Sequence, residues 1–212
     1  MTASAPTDAL RSWGVMANVT GVGLVLAGLA IRSLRGGAVT GDEVFFLSVT
    51  AYLAAGGILI LRTPHTTVGW VVWATGFSAA VAGVGQSYFE LTESTDPIGS
   101  LHARLALFVG GLGFFMLITL AGTLLPLLFP TGRPPTRRWW WVAWAAAAGL
   151  VFMAVAELPA ILTLPRDSLL RPRPPPMLNV LGGWLLACAS IGALVSLFVR
   201  YRRAVGIELL QL

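Results

Sequence analysis

The strongest constraint on this chain is the spacing of its charges. Six stretches, 13–31, 44–61, 69–89, 105–129, 139–162 and 177–199, are predominantly apolar and nearly free of ionisable side chains. A bilayer with a hydrocarbon core of about 30 Å requires roughly 20 such residues in a helix. A helix is the form in which a lipid-exposed segment satisfies its own backbone polar groups. A β-barrel needs short segments of alternating polarity, and these runs are continuous. The expected fold class is all-α: a polytopic membrane helical bundle of about six transmembrane helices.

Composition agrees with this. Hydrophobic residues make up 56% of the chain and charged residues 11%, against roughly 25% charge in an ordinary soluble domain. A soluble fold could not hide that much apolar surface, and a disordered chain would carry far less of it. All 14 basic residues are Arg. Their positions, in short segments between apolar runs, make them topology signals, so the basic balance implies no nucleic-acid partner. The absence of Lys excludes Lys-based catalysis. The single Cys188 cannot form an internal disulfide, and His65 and His102 offer little for a metal site.

Three parts follow: a cytoplasmic tail over 1–12, a six-helix membrane domain over 13–199, and a basic juxtamembrane linker over 200–212. The start has no small-residue cleavage site after a short apolar core, so the first run is expected to stay as a helix. An even number of spans places both termini on one side. That side carries Arg11, Arg62, Arg133, Arg137, Arg138, Arg200, Arg202 and Arg203; the other carries Arg32, Arg35, Arg104, Arg166, Arg171 and Arg173. The excess, with the clusters at 137–138 and 200–203, orients both termini to the cytoplasm. Pro-rich stretches at 130–136 and 171–176 cannot continue a helix and separate the spans. Trp139, Trp140 and Trp141 fall where an interfacial aromatic belt is expected.

Glu157 is the one ionisable residue well inside a run. A carboxylate at mid-bilayer costs about 2.5–3.5 kcal/mol on insertion scales. Its position toward the outer end of the fifth run lowers that cost. It is a candidate for sensing a ligand, a proton or a cation, or it rests near the headgroups beside a break at Pro159. Gln86 and Ser87, at the end of the third run, are candidates to line the same outward-facing cavity, or to bond between helices. Gly14, Ala17, Gly21 and Gly28, and Gly76, Ala80, Gly83 and Ser87, form small-residue seams suited to close helix packing, within the chain or in a homodimer. No phosphate-binding glycine loop, zinc-protease helix motif or nucleophile elbow is present, and the glycines at 110–113 lie inside an apolar run. No catalytic constellation, metal ligand set or cofactor is therefore expected in these residues.

Three stretches stand in order along the chain: His65-Thr-Thr-Val-Gly69-Trp70; Leu127-Leu-Phe129-Pro130-Thr-Gly132-Arg133 followed by Arg137-Arg-Trp139; and Arg200-Tyr-Arg202-Arg203-Ala-Val-Gly-Ile-Glu208-Leu-Leu-Gln-Leu212. Together they resemble the N-terminal membrane region of bacterial two-component sensor histidine kinases, over about 60–212. The resemblance implies a membrane sensor or input domain that relays a stimulus by helix repacking, with the lipid bilayer and a second copy as partners. Arg200, Arg202, Arg203 and Glu208 would transmit the signal to a kinase domain in cis, and through it to a response regulator. ATP and Mg belong to that kinase domain, which is absent from these residues. The family pattern continues past the equivalent of Leu212, so a fragment of a longer reading frame, or a truncated relative, is expected. The competing expectations are a small permease-like subunit and a structural membrane protein.

Overall fold

The computed structural model describes residues 5–34, 42–63, 67–93, 100–163 and 175–203. His65, Glu208 and the acidic and Pro-rich segments at 94–99 and 164–174 lie outside them. The described residues form helices, with no strand among them: α1 (Ala5–Ser33), α2 (Asp42–Arg62), α3 (Thr67–Glu93), α4 (Leu101–Thr119), α5 (Leu125–Leu128), α6 (Trp140–Thr163) and α7 (Met177–Arg203). Five segments are long and apolar enough to cross a membrane: Ser12–Ser33, Thr67–Thr92, Leu101–Leu128, Arg137–Thr163 and Met177–Arg202.

The outer surface is what a bilayer solvates. Val19 is 68% exposed, Trp144 73% and Phe198 58%. So much exposed apolar surface would be an aggregation hazard in water. The interior is lined instead by small side chains, including Ala80, Ala103, Ala189 and Ala193 at 0% exposure. Helices without a hydrophobic drive to associate gain from close backbone approach. Where α3 crosses α4, a Cβ added to Gly85 would sit 2.7 Å from the Gly110 Cα, so no larger residue fits that crossing unshifted. The glycine seam on α1 is used within the chain: Gly14 meets Ile60 and Gly21 meets Leu53, both on α2.

Helix α3 packs on α1, α2 and α4, while α6 pairs with α7 and touches α4. Three apolar clusters result among the described residues, one around Val25, Val49, Leu53 and Ala79, one around Leu127, Val142, Met153 and Leu186, and a smaller one of Val71, Leu120 and Leu128. The segment after α4 joins them. Pro126 has no amide to offer, and its ring crowds the preceding turn. Residues Leu120–Leu124 widen to a π turn, and the Leu125 amide bonds the Leu120 carbonyl five residues back. The widened turn brings Thr123 to α7, where its hydroxyl lies 3.1 Å from the Ser190 hydroxyl.

Pro159 does not break α6 as expected. The helix runs through it to Thr163, whose hydroxyl bonds the Pro159 carbonyl at 2.8 Å. Side-chain donors and packing against neighbours let such helices tolerate an internal Pro. The last helix also extends past its apolar run to Arg203, so the start of the expected linker at 200 is helical.

Candidate functional site

Two regions bear the polar side chains that sequence reasoning singled out, and they lie at opposite ends of the bundle. The first is built where α5 stops. A helix end leaves its last carbonyls without intrahelical partners, and here Arg200 of α7 supplies them. Its Nη2 donates to the Leu127 carbonyl at 2.6 Å and to that of Arg133, and its Nη1 donates to that of Phe129. A planar guanidinium carries several donors in a rigid fork, which an ammonium cannot reproduce.

The turn held by Arg200 has its own internal logic. The Phe129 amide bonds Leu125 and the Gly132 amide bonds the Leu128 carbonyl at 2.7 Å. The Phe129–Pro130 bond is cis. Gly132 has φ 74°, a left-handed conformation that glycine adopts without penalty. An added Cβ on Gly132 would lie 3.5 Å from Thr67 at the start of α3. Two residues on, Gly69 is buried where a Cβ would meet Leu59 of α2 at 3.0 Å. Trp70 is half-buried and stands edge-on to Trp73, with ring centroids 6.3 Å apart. Thus Thr67–Trp70, Leu127–Arg133 and Arg200 converge, although the sequence separates them by up to 133 positions. Arg202 points elsewhere, lying over the Phe198 ring at 5.3 Å. Arg137 and Arg138 are exposed in a short 3-10 turn at the start of α6.

The second region lies at the far end. A cavity of about 520 Å³ is lined by Arg32 of α1, Gln86, Ser87 and Glu90 of α3, and Gly110 and Phe114 of α4. The Gln86 amide donates to Glu90 at 2.7 Å, and Ser87 is buried. A separate cavity of about 230 Å³ lies between α4, α6 and α7 and is lined by Glu157, Asn179, Phe108, Phe115, Met153 and Ile161. The Asn179 amide donates to the half-buried Glu157 carboxylate at 2.7 Å.

Gln86 and Ser87 therefore do not share a cavity with Glu157, as the sequence suggested. Helix α4 stands between them, and its Leu107 and Gly111 line both spaces. Sequence reasoning missed Asn179 and treated Arg32 only as a topology signal. Asn179 had a usable signal: it sits just inside the sixth run, opposite the outer end of the fifth where Glu157 lies. Among the described residues, no three His, Cys, Asp or Glu side chains gather in a way that could hold a metal ion. His102 instead bonds the Ser100 hydroxyl at 2.8 Å and stacks edge-on against Tyr88. No family model, curated protein or solved structure matches the chain.

Proposed function

We propose that this chain is the membrane input domain of a bacterial sensor histidine kinase, relaying a stimulus to a cytoplasmic kinase through helix repacking. The observation that carries this reading is the meeting of the kinase-like stretches at one end of the bundle. Arg200, on the helix that leads into the C-terminal tail, grips the Leu127–Arg133 turn, and that turn rests on Thr67. A displacement of α7 is thereby coupled to α3 and α5. A relay needs two packings that differ by only a few kcal/mol, biased by whatever binds one of them better.

The finer topology belongs to the same proposal. Helix α2 has 21 residues, long enough for about 31 Å, and it serves as the sixth span. Both termini lie in the cytoplasm, the domain works as a homodimer, and Arg202, Arg203 and Glu208 lie on the path to the kinase. ATP and Mg enter only in that downstream domain. A transporter would need polar groups and broken helices around mid-membrane. The polar cavity residues described here crowd one end instead.

The test is the coding DNA beyond Leu212. A continuation into a His-bearing dimerisation helix and an ATP-binding domain is expected. A stop codon there, with no kinase gene adjacent, overturns the reading. A reporter fused after Leu212 should be active only inside the cell, and activity outside would refute the topology.

A further inference from the structure

The larger cavity has a polar mouth and an apolar depth. Its floor is α3, flanked by Arg32 of α1 and by Leu107, Gly110, Gly111 and Phe114 of α4. Arg32 is the second-last residue of α1, and Glu90 stands three residues before the end of α3, so both charges lie at the mouth. Eight residues inward, about 12 Å along α3, the floor becomes Ala82. Phe114 lies at that depth, next to Gly113, whose added Cβ would meet the Ala82 nitrogen at 2.9 Å. A volume of about 520 Å³ is in the range of small-molecule sites.

Between mouth and depth stands Ser87. It is 4% exposed and lines the cavity, yet its hydroxyl bonds no other described residue. A hydroxyl inside a helix commonly returns to a carbonyl of the preceding turn, as those of Thr75, Thr119 and Ser196 do here. The Ser87 hydroxyl instead leaves a donor and an acceptor at the cavity wall. A buried hydroxyl without a partner is unfavourable, and a ligand that bonds it removes that penalty. Beside it, the Gln86 amide nitrogen is used on Glu90, and the side-chain oxygen remains. Arg32 and Glu90 are each engaged within the protein and are opposite in sign. The described lining therefore suits a head group that hydrogen-bonds without carrying net charge.

We infer that the cavity between α1, α3 and α4 binds a neutral amphiphile with a diol head, a glycerol monoester. One head hydroxyl bonds Ser87, a second donates to the Gln86 oxygen, and the acyl chain runs inward along Ala82, Gly110 and Phe114. The same diol has two sources, a free monoacylglycerol and the terminal glycerol of a phosphatidylglycerol headgroup. The headgroup would also bring a phosphate, and Arg32, the base in the described lining, is already engaged, so the free monoester is the better match. The inference does not depend on the kinase reading, because its test measures binding alone.

Ser87→Ala is a clean probe, because the hydroxyl holds no other described residue in place. The unliganded unfolding temperature should therefore not move. The experiment uses the full chain in phosphatidylcholine nanodiscs, whose headgroup has no hydroxyl. Monodecanoylglycerol is the probe, and methyl decanoate is its counterpart without hydroxyls. Equilibrium binding and thermal unfolding are read for wild-type and S87A protein. Monodecanoylglycerol should bind the wild type saturably, raise its unfolding temperature, and bind S87A about five-fold more weakly, as expected for loss of one neutral hydrogen bond. Methyl decanoate should show no saturable binding, and the charged analogues decanoate and decylammonium should bind more weakly than the glycerol ester. Equal binding to folded wild-type and S87A protein, equal binding of methyl decanoate, or tighter binding of either charged analogue overturns the inference. In phosphatidylglycerol nanodiscs, loss of the difference between wild type and S87A identifies the lipid headgroup as occupant; its persistence identifies the free monoester.

Discussion

The two ends of this bundle handle their polar groups in opposite ways. At the Arg200 end, a single guanidinium gathers three backbone carbonyls of one turn, and the turn rests against the start of α3. At the Glu157 end, polar side chains line open space: one cavity of about 520 Å³ and another of about 230 Å³. The first arrangement uses polarity to close a junction. The second sets it along cavity walls. Within a membrane, unpaired polar atoms are costly, so an end that is filled and bonded gains rigidity, and an end with voids can repack.

Substitutions can break or sharpen that contrast. Arg200→Ala should have the largest effect, about 3 kcal/mol of lost stability, because it strips the charged donor from several carbonyls at once. Arg200→Lys should recover less than half of it, since a point charge cannot span the fork. Chemical unfolding in detergent measures both, and a loss below about 0.5 kcal/mol for the alanine variant would erase the distinction between the ends. Next comes Gly132→Ala, which forces a side chain into the φ 74° conformation and should cost about 1 kcal/mol. Its companion readout is faster protease cleavage within 130–136. Thr123→Val removes the bond to Ser190 and should cost about 0.6 kcal/mol, the usual scale for such contacts between membrane helices. Smallest of all, Glu157→Gln should shift stability by no more than about 0.5 kcal/mol, since the glutamine oxygen still accepts from Asn179. A loss as large as that of Arg200→Ala would show both ends to be structural.

What the sequence made legible was set by lengths and periodicities. Runs near bilayer thickness became helices, and most bounds moved outward by a few residues as the hydrogen-bond ladder continued into the interface. The details that required the fold were contacts between distant positions. Arg200 stood in a basic cluster and read as linker, because nothing local says that its fork will find carbonyls at 127 and 133. Gln86 and Glu157 share a depth, which suggested a shared cavity. Only the packing of α4 between them reveals two. Whether a Pro such as Pro126 yields a kink, a stop or a π turn depends on what packs around it, here Ser190 of α7.

The Arg200 contact also sets a mechanical geometry. A helix fastened near one end behaves as a lever, and the fastening is its fulcrum. Helix α7 has 27 residues, a length of about 40 Å. Asn179 lies 21 residues, about 32 Å, from that fulcrum, so a tilt of about 5° moves it, and its contact with Glu157, by roughly 2.7 Å while the pinned turn hardly shifts. Small rotations at the base of α7 and atom-sized changes in the width of the Glu157 cavity are thus one motion seen at two radii.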